Sequence, residues 1–509
     1  MEQRSGASVN SAVVGRRAFS RAGLLSAGLA GLGAAVASAA QSRSGVRAPL
    51  ESERDRVAHL LRRAGFGSSP EELEFFTGMG VAGAVDYLLN YEQAPDDVEE
   101  RLRRYALNLD KSADMQRWWL LRMIYTKRPL LEKMTLFWHG LLVSAVGKVG
   151  LPQPKPGNPN PPNLMLNQNR FFREHALDDF GSIMKGISRD PAMVVYLDSN
   201  ANRKGKPNEN YARELLELFT LGVHGPNGRP NYTEQDVREV ARAFTGWGLN
   251  KQRAFAYAAG RHDNGRKTIV GRTGNFDGND VIDLILAHPS CAWHVSTRLF
   301  EFFAYDQPEP ATLAPVVDVF RATKGSIKAV VQAILTSPAL YSARAYRAKV
   351  KAPIELIAGM ARALGLETDA QDLPPSARRM GQTLFNPPNV AGWPGGEQWL
   401  NTTTWLERVN LANRVLTGRR AGQSQRIGLL SLIRRGGAAA PEQVVDSLLD
   451  VLVDGQVGPE QRQTLMDYVK EGDVWPRPGR PLQETDQAVD RKVRGLVYLI
   501  MAMPEYQLA

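Results

Sequence analysis

Three times along this chain an apolar helical pattern stops and restarts at a proline: Ser188-Arg189-Asp190-Pro191, Leu286-Ala287-His288-Pro289 and Leu335-Thr336-Ser337-Pro338. Proline in the first helical turn sacrifices no hydrogen bond, and Asp190, His288 or Ser337 just before it is suited to cap the new helix. Such punctuation commits the chain to many helices joined by tight turns. Its irregular spacing argues against a solenoid repeat. Thr233-Glu234-Gln235-Asp236 reads as a capping box ahead of Val237, Val240, Ala241 and Phe244 on one helical face. Between Arg253 and Asn275, short alternating segments flank the turn signal Asp263-Asn264-Gly265. The expected fold is mainly α, a large multi-helix domain with a small β-hairpin insertion near 253–275.

With 509 residues, 43% of them hydrophobic, core material is not limiting. Six prolines between Val149 and Asn163 rule out a helix there and suggest a surface loop. The expected organisation is a signal at 1–39, a disordered linker at 40–53 and an N-terminal helical lobe at 54–148. The proline-rich loop at 149–163, a main helical body at 164–415, a basic linker at 416–440 and a helical segment at 441–509 follow.

The N-terminus carries Gly15-Arg16-Arg17-Ala18-Phe19-Ser20-Arg21, then weakly apolar Ala22 to Val36, then Ala37-Ser38-Ala39 before Ala40. That order describes a cleavable twin-arginine signal, with an uncleaved anchor as the alternative. The expected location is periplasmic or extracellular, with no stable membrane insertion after cleavage. Export of an already folded chain favours a bound cofactor or metal without naming one. The formal charge is +10, of which Arg4, Arg16, Arg17 and Arg21 against Glu2 supply +3. The remaining +7 lacks the Lys/Arg clustering with interleaved aromatics that a nucleic-acid groove requires, so no nucleic-acid partner is expected. A single cysteine, Cys291, cannot form an internal disulfide and reads as a small buried hydrophobe.

The stretch richest in functional side chains runs from Asp198 to Asn210 and leads into a helix from Tyr211 to Leu221. Asp198, Asn200, Asn202 and Glu209 occupy positions 1, 3, 5 and 12 of a twelve-residue loop, part of a calcium-loop pattern. Arg203 stands where that pattern needs glycine, and Lys204 and Lys206 add charges that oppose a cation. The competing reading is a loop held by Asx turns, with Asn208 and Asn210 among its residues, or one contacting a ligand. Farther on, Asn210, Glu214 and Glu217 share a stripe, with Arg213 beside Glu217. The two acids suit a metal or a general base; the simpler reading is an Arg213–Glu217 ion pair.

Of seven histidines, His175 lies one helical turn from Asp179, so that the carboxylate would orient the imidazole. His139, His175 and Glu214 are the candidate metal ligands; His175, Glu214, Glu217 and His262 are the candidate catalytic residues. No H-E-x-x-H, paired C-x-x-C, G-x-S-x-G, Walker or dinucleotide motif stands out. Asn386-Pro387-Pro388-Asn389-Val390-Ala391-Gly392-Trp393-Pro394-Gly395-Gly396 joins rigid turns to an indole. Trp393 either stacks on a sugar face or pins a loop that closes the core.

These phrases also resemble a known family. Leu60-Leu61-Arg62-Arg63-Ala64-Gly65-Phe66-Gly67, Phe137-Trp138-His139, Arg173-Glu174-His175-Ala176-Leu177, Asn208 through Gly222, Tyr232 through Val237, His262-Asp263 with Lys267, and Pro387 through Pro394 are similar to the domain of unknown function 1800 family. The resemblance runs from about Val57 to the C-terminus. It implies bacterial export, implies a genetic neighbour resembling alkaline phosphatase or sulfatase-like exported proteins, and implies no reaction. Where the family often continues Phe137-Trp138-His139 with Asn-His, this chain has Gly140-Leu141, which weakens any site needing a second histidine.

The expected function is an exported protein binding a partner, such as that sulfatase-like neighbour, or an envelope or extracellular polysaccharide. Its cleft is expected to be lined by the His175, Asp198 to Glu217 and His262 segments, with Arg213, Lys267 and Trp393 as further ligand contacts. The alternative is a metal-assisted hydrolase, and a purely structural role is the third class.

Overall fold

The computed structural model describes residues 50–154, 160–417, 428–435, 437–438, 440–472, 474–475, 483 and 486–509. The signal and most of the disordered linker expected at 1–53 lie outside these residues, as do parts of the proline-rich and basic segments. The chain is mainly α, and its strands form two small antiparallel pairs.

Two compact units are present, one built chiefly on Pro49–Glu407 with Leu508–Ala509, the other running from Arg408 through Gln507. The expected lobe boundary at 149–163 therefore falls inside a unit, with residues on both sides of the prolines sharing one core. In the C-terminal unit, helices Pro441–Val453, Pro459–Lys470 and Gln487–Met501 pack on one another. The segment expected as a basic linker is partly helical: the helix Thr402–Thr417 runs into it and Leu429–Arg435 forms another. Leu429, Leu430, Leu432 and Ile433 are buried there, an apolar face that the basic Gly/Ala-rich composition masks.

The large unit begins with α1 (Glu53–Arg63) and α2 (Pro70–Leu89), each opened by a serine capping box. Then come α3 (Ser112–Tyr125), α4 (Pro129–Leu141), α5 (Leu164–Glu174), α6 (Phe180–Ile187) and α7 (Pro191–Tyr196). The central element is α4, in which every residue except Gly140 is buried. A helix apolar on one side only would face water on the other; α4 is enclosed by its neighbours, so its Glu132, Lys133 and His139 require internal partners.

Capping chemistry explains most boundaries. The Asp190 carboxylate accepts from the Met193 amide at 2.9 Å ahead of α7, and the Thr233–Asp236 box opens α9 (Glu234–Ala243). His288 accepts from the Ser290 amide at 3.2 Å at the start of α10 (Pro289–Phe303). Pro338 departs from the pattern: turns follow it rather than a helix, with Ser337 accepting from the Ala339 amide.

Between α9 and α10 the structure has two hairpins instead of one, β1 (Trp247–Leu249) with β2 (Phe255–Tyr257) and β3 (Lys267–Ile269) with β4 (Arg272–Gly274). Asp263-Asn264-Gly265 turns neither of them. The Asp263 carboxylate is held by Arg242 at 2.9 Å and accepts from the Gly265 amide at 2.8 Å, an Asx turn anchored on α9. The β3–β4 turn falls instead at Val270-Gly271, both with positive φ, as a two-residue hairpin requires. A valine is a poor residue for that position, and the Val270 amide is secured by the Asp236 carboxylate at 2.7 Å.

Candidate functional site

Glu132 shows how α4 handles its buried polar groups. Fully enclosed, its carboxylate accepts from Arg122 and Arg173 at 2.7 Å each and from the Trp119 indole at 3.0 Å. Burial favours the neutral acid, but Arg173 and Arg122 outweigh it and hold the pKa down to about 2. At Arg122, burial opposes the charge and Glu132 with Glu99 overcomes it; at Arg173, burial prevails and lowers the pKa.

The next residue, Lys133, faces a cavity of about 600 Å³, within the range of ligand sites. Its ammonium pairs with Glu355, which sits in the first turn of α11 (Pro353–Ala363) and also accepts from the Ala352 amide at 2.9 Å. Burial lowers the Lys133 pKa, and Arg63 and Lys349 add repulsion to the pull of Glu355. The ammonium also lies 5.2 Å from the Phe302 ring centre and 5.4 Å from that of Phe66. From α10 come Phe302 with the Arg298–Glu301 pair, while Lys349 pairs with Asp306 on the same wall.

The opposite wall is the loop containing Trp393. Asn389 organises it by accepting from the Ala391 amide at 2.9 Å, and Asn386 accepts from the Gly147 amide at 3.0 Å. Gly392 has φ +85°, and a Cβ there would meet the Gly140 carbonyl oxygen at 2.4 Å. The loop thus presses backbone to backbone on Gly140, the one α4 residue that is only half-buried. The Trp393 indole lies over Gly140, where a Cβ would stand 4.0 Å from the ring, and meets His139 edge-on at 5.5 Å while lining the cavity. The Trp393 indole therefore packs against α4 and also walls a cleft.

The polar candidates are elsewhere. His139 is enclosed by Trp119, Phe385 and Trp393, its Nε2 has no hydrogen-bond partner, and burial lowers its pKa to about 3. His175 is exposed and its Nδ1 meets Asp178 at 2.6 Å; Asp179, expected to orient it, instead caps α6 by accepting from the Ser182 amide. His262 is buried against the Thr245 carbonyl at 2.8 Å, and Lys267 donates to the Asp263 and Gly265 carbonyls. These two hold the hairpin segment and do not line the cavity.

In the Asp198–Asn210 loop the amides bind backbone. Asn200 accepts from the Leu249 amide, buried Asn202 donates to the Ala241 carbonyl and accepts from the Asn208 amide, and Asn208 accepts from the Asn210 amide. Of these only the Asn208–Asn210 bond is an Asx turn, the others tying the loop to its own or to distant backbone, while Lys148 takes Asp198 at 2.8 Å, with Asn210 also donating to it at 3.3 Å. The following helix changes pitch. α8 (Asn210–Glu214) gives way to a π-helix over Leu215–Thr220, where the Leu221 amide reaches the Leu216 carbonyl. The wider winding removes the expected Arg213–Glu217 pair. Arg213 binds Glu234 at 2.8 Å and Glu209 at 3.3 Å, while Glu217 accepts from the Tyr232 hydroxyl at 3.2 Å. Burial and then the Glu217 charge raise the pKa of Glu214.

Among the described residues, no three His, Cys, Asp or Glu side chains converge as a metal set. The proposed combination of His139, His175 and Glu214 does not fit a resident ion, since His139 is sealed among aromatic rings. The cleft's charged residues, Lys133, Arg298, Lys349 and Glu355, were missed by sequence reasoning. The family phrases touched the cleft through Arg62 and Arg63, through Phe137, and through Ala391, Trp393 and Pro394.

The family described as a protein of unknown function, DUF1800, matches residues 59–508. No curated protein and no solved structure matches the chain.

Proposed function

Given that this chain belongs to the domain of unknown function 1800 family, whose description assigns no reaction, we propose that it is an exported protein binding an envelope or extracellular glycan in the Trp393 cleft. The observation that carries this reading is the cleft itself. An indole fixed over Gly140 and the Phe302 ring supply flat apolar faces, and charged pairs between them supply hydrogen-bonding groups. Sugar rings present the same alternation of apolar faces and polar edges.

A panel of purified bacterial polysaccharides, screened by affinity electrophoresis, tests the reading. At least one polymer retards the wild-type protein, and Trp393→Ala weakens that interaction by roughly tenfold or more while remaining folded. Retention of no polymer, or equal retention by the variant, would overturn it.

Export rests on the Arg16-Arg17 sequence and the small-residue cleavage pattern. Among the described residues no helix is long and apolar enough to cross a membrane. Residues 1–40 fused to a folded reporter are expected to carry it out of the cytoplasm, and replacing Arg16 and Arg17 together by lysine to retain it. Continued export of the double variant would remove the twin-arginine element.

A hydrolase at the π-helix is the second reading, favoured by the raised pKa of Glu214 beside Glu217. Chain shortening of a bound polymer that is lost in Glu214→Gln would favour it over simple binding.

A further inference from the structure

We infer that two neighbouring turns, Arg203–Lys206 and Tyr257–Arg261, form a cationic tip that lays the protein on the surface of an anionic lipid bilayer. None of their residues lines the Trp393 cleft, and the inference stands whether or not a glycan binds there. Between Ser199 and Asn208 the chain carries Arg203, Lys204 and Lys206 and no acid, and between Gly246 and Asn275 six Lys or Arg side chains stand against the single acid Asp263. The fold joins the two stretches. The Lys204 amide donates to the Arg261 carbonyl at 2.8 Å, the Gly246 amide donates to the Asn202 carbonyl at 3.2 Å, and Asn200 accepts from the Leu249 amide at 2.8 Å. Arg203 bridges antiparallel to Lys206 around Gly205, whose φ is +76°. Three cations therefore crowd one tight turn, and Arg261 is bonded against it.

The acids nearest in sequence do not neutralise the tip, because each is engaged elsewhere: Asp198 by Lys148, Glu209 by Arg213 and Asp263 by Arg242. Among the described residues, Arg203, Lys204, Lys206 and Arg261 have no ion-pair partner. Every residue of 203–207 and 257–261 is exposed, and a Cβ at Gly205 or Gly260 would meet nothing within 4 Å, so both turns project into open solvent. A nucleic-acid strand is held in a cationic groove with rings stacked along it; a projecting tip has no walls and suits a flat, extended anion such as a layer of lipid headgroups. Tyr257, 51% exposed, stands on the same turn as Arg261, and tyrosine is a side chain that settles at the headgroup level of a bilayer. Exposed charges hold a lone counter-ion poorly, but over a surface of many anionic lipids their attractions add.

Titration of the full chain with vesicles of phosphatidylcholine, alone or mixed with phosphatidylglycerol, tests the inference. The one native cysteine, Cys291, is buried, so a polarity-sensitive dye attached through Ala259→Cys reports on the tip alone. A dye attached through Ala82→Cys, on an exposed position of α2, is the reference. The tip dye is expected to shift to the blue with the phosphatidylglycerol vesicles and not with the neutral ones, and to recover as salt rises, while the reference dye stays unchanged. Lys204→Gln, Lys206→Gln and Arg261→Gln combined are expected to weaken the titration about tenfold or more and to leave thermal stability nearly unchanged. Arg103→Gln, Arg104→Gln and Lys111→Gln combined remove the same charge from another exposed stretch and should weaken it less than about threefold. Both sets keep residues 1–40, so lipid binding by that segment is common to them. A tip dye unmoved by the anionic vesicles, or equal weakening by the two sets, would overturn the inference. Duplex DNA or inorganic phosphate giving the same shift at equal phosphate and salt would exclude a lipid surface as the specific partner and overturn it as well.

Discussion

Glu132→Gln is expected to lower unfolding free energy by about 3–5 kcal/mol, the cost of leaving a buried charge without its counter-ion. The amide preserves the shape of the side chain and can still accept from the Trp119 indole. It cannot neutralise Arg122 and Arg173, which are almost fully enclosed and lose the carboxylate they share. Glu99 also pairs with Arg122 but is 63% exposed, so Glu99→Gln should cost about 1 kcal/mol or less. Denaturant midpoints of the two variants measure the contrast, and similar losses would show that the enclosed carboxylate is not the anchor of the α3–α4–α5 packing.

The acid limb of the same experiment has a definite sign. The folded Glu132 pKa of about 2 lies below the unfolded value of about 4.5, so the unfolded chain binds more protons between them. Its contribution is complete above pH 5 and disappears as pH falls through that interval, amounting to roughly 3 kcal/mol. The wild-type advantage over Glu132→Gln should therefore narrow as pH is lowered from 5 towards 2.

Gly392→Ala is expected to be the second severe change, at about 2–4 kcal/mol. The added methyl would stand 2.4 Å from the Gly140 carbonyl oxygen, and the φ of +85° is one that alanine adopts only under strain. Neither the α4 backbone nor the loop can give way without moving Trp393, so glycan binding should fall with stability. Gly395 provides the control: it also has positive φ, +69°, but open space where a Cβ would be. Gly395→Ala should cost only the conformational strain of φ 69°, ψ −179°, a region essentially restricted to glycine, about 1–3 kcal/mol. Chemical denaturation together with the electrophoretic binding assay separates the two. A Gly392→Ala protein as stable and as active as Gly395→Ala would mean that the loop is not held by that close approach.

Much of the helical framework was legible because its signals are local. The Thr233–Asp236 box and the Asp190-Pro191 boundary act over three or four residues, and both helices start where that chemistry places them. The Asp263 turn signal was equally local but misleading. Whether Asp263 turns a hairpin or binds Arg242 depends on a helix twenty residues earlier. The π-helix had a similar origin. Leucines from Leu215 to Leu221 are compatible with α pitch, and the change that dissolves the Arg213–Glu217 pair is expressed in the packed structure.

By itself, then, the sequence determined the fold class, the family and several helix boundaries, because capping and periodicity are short-range interactions. Only the tertiary structure decided which polar groups share a cavity. Lys133 and Glu355 lie 222 residues apart, and Gly140 meets Gly392 through backbone atoms that no side-chain pattern reports. Of the histidines that stood out by type, His139 is sealed among rings, His175 meets Asp178 and His262 binds the Thr245 carbonyl. The cleft was assembled from ordinary-looking lysines, arginines and a glycine because enclosing α4 on all sides forces its polar residues to find partners across the fold.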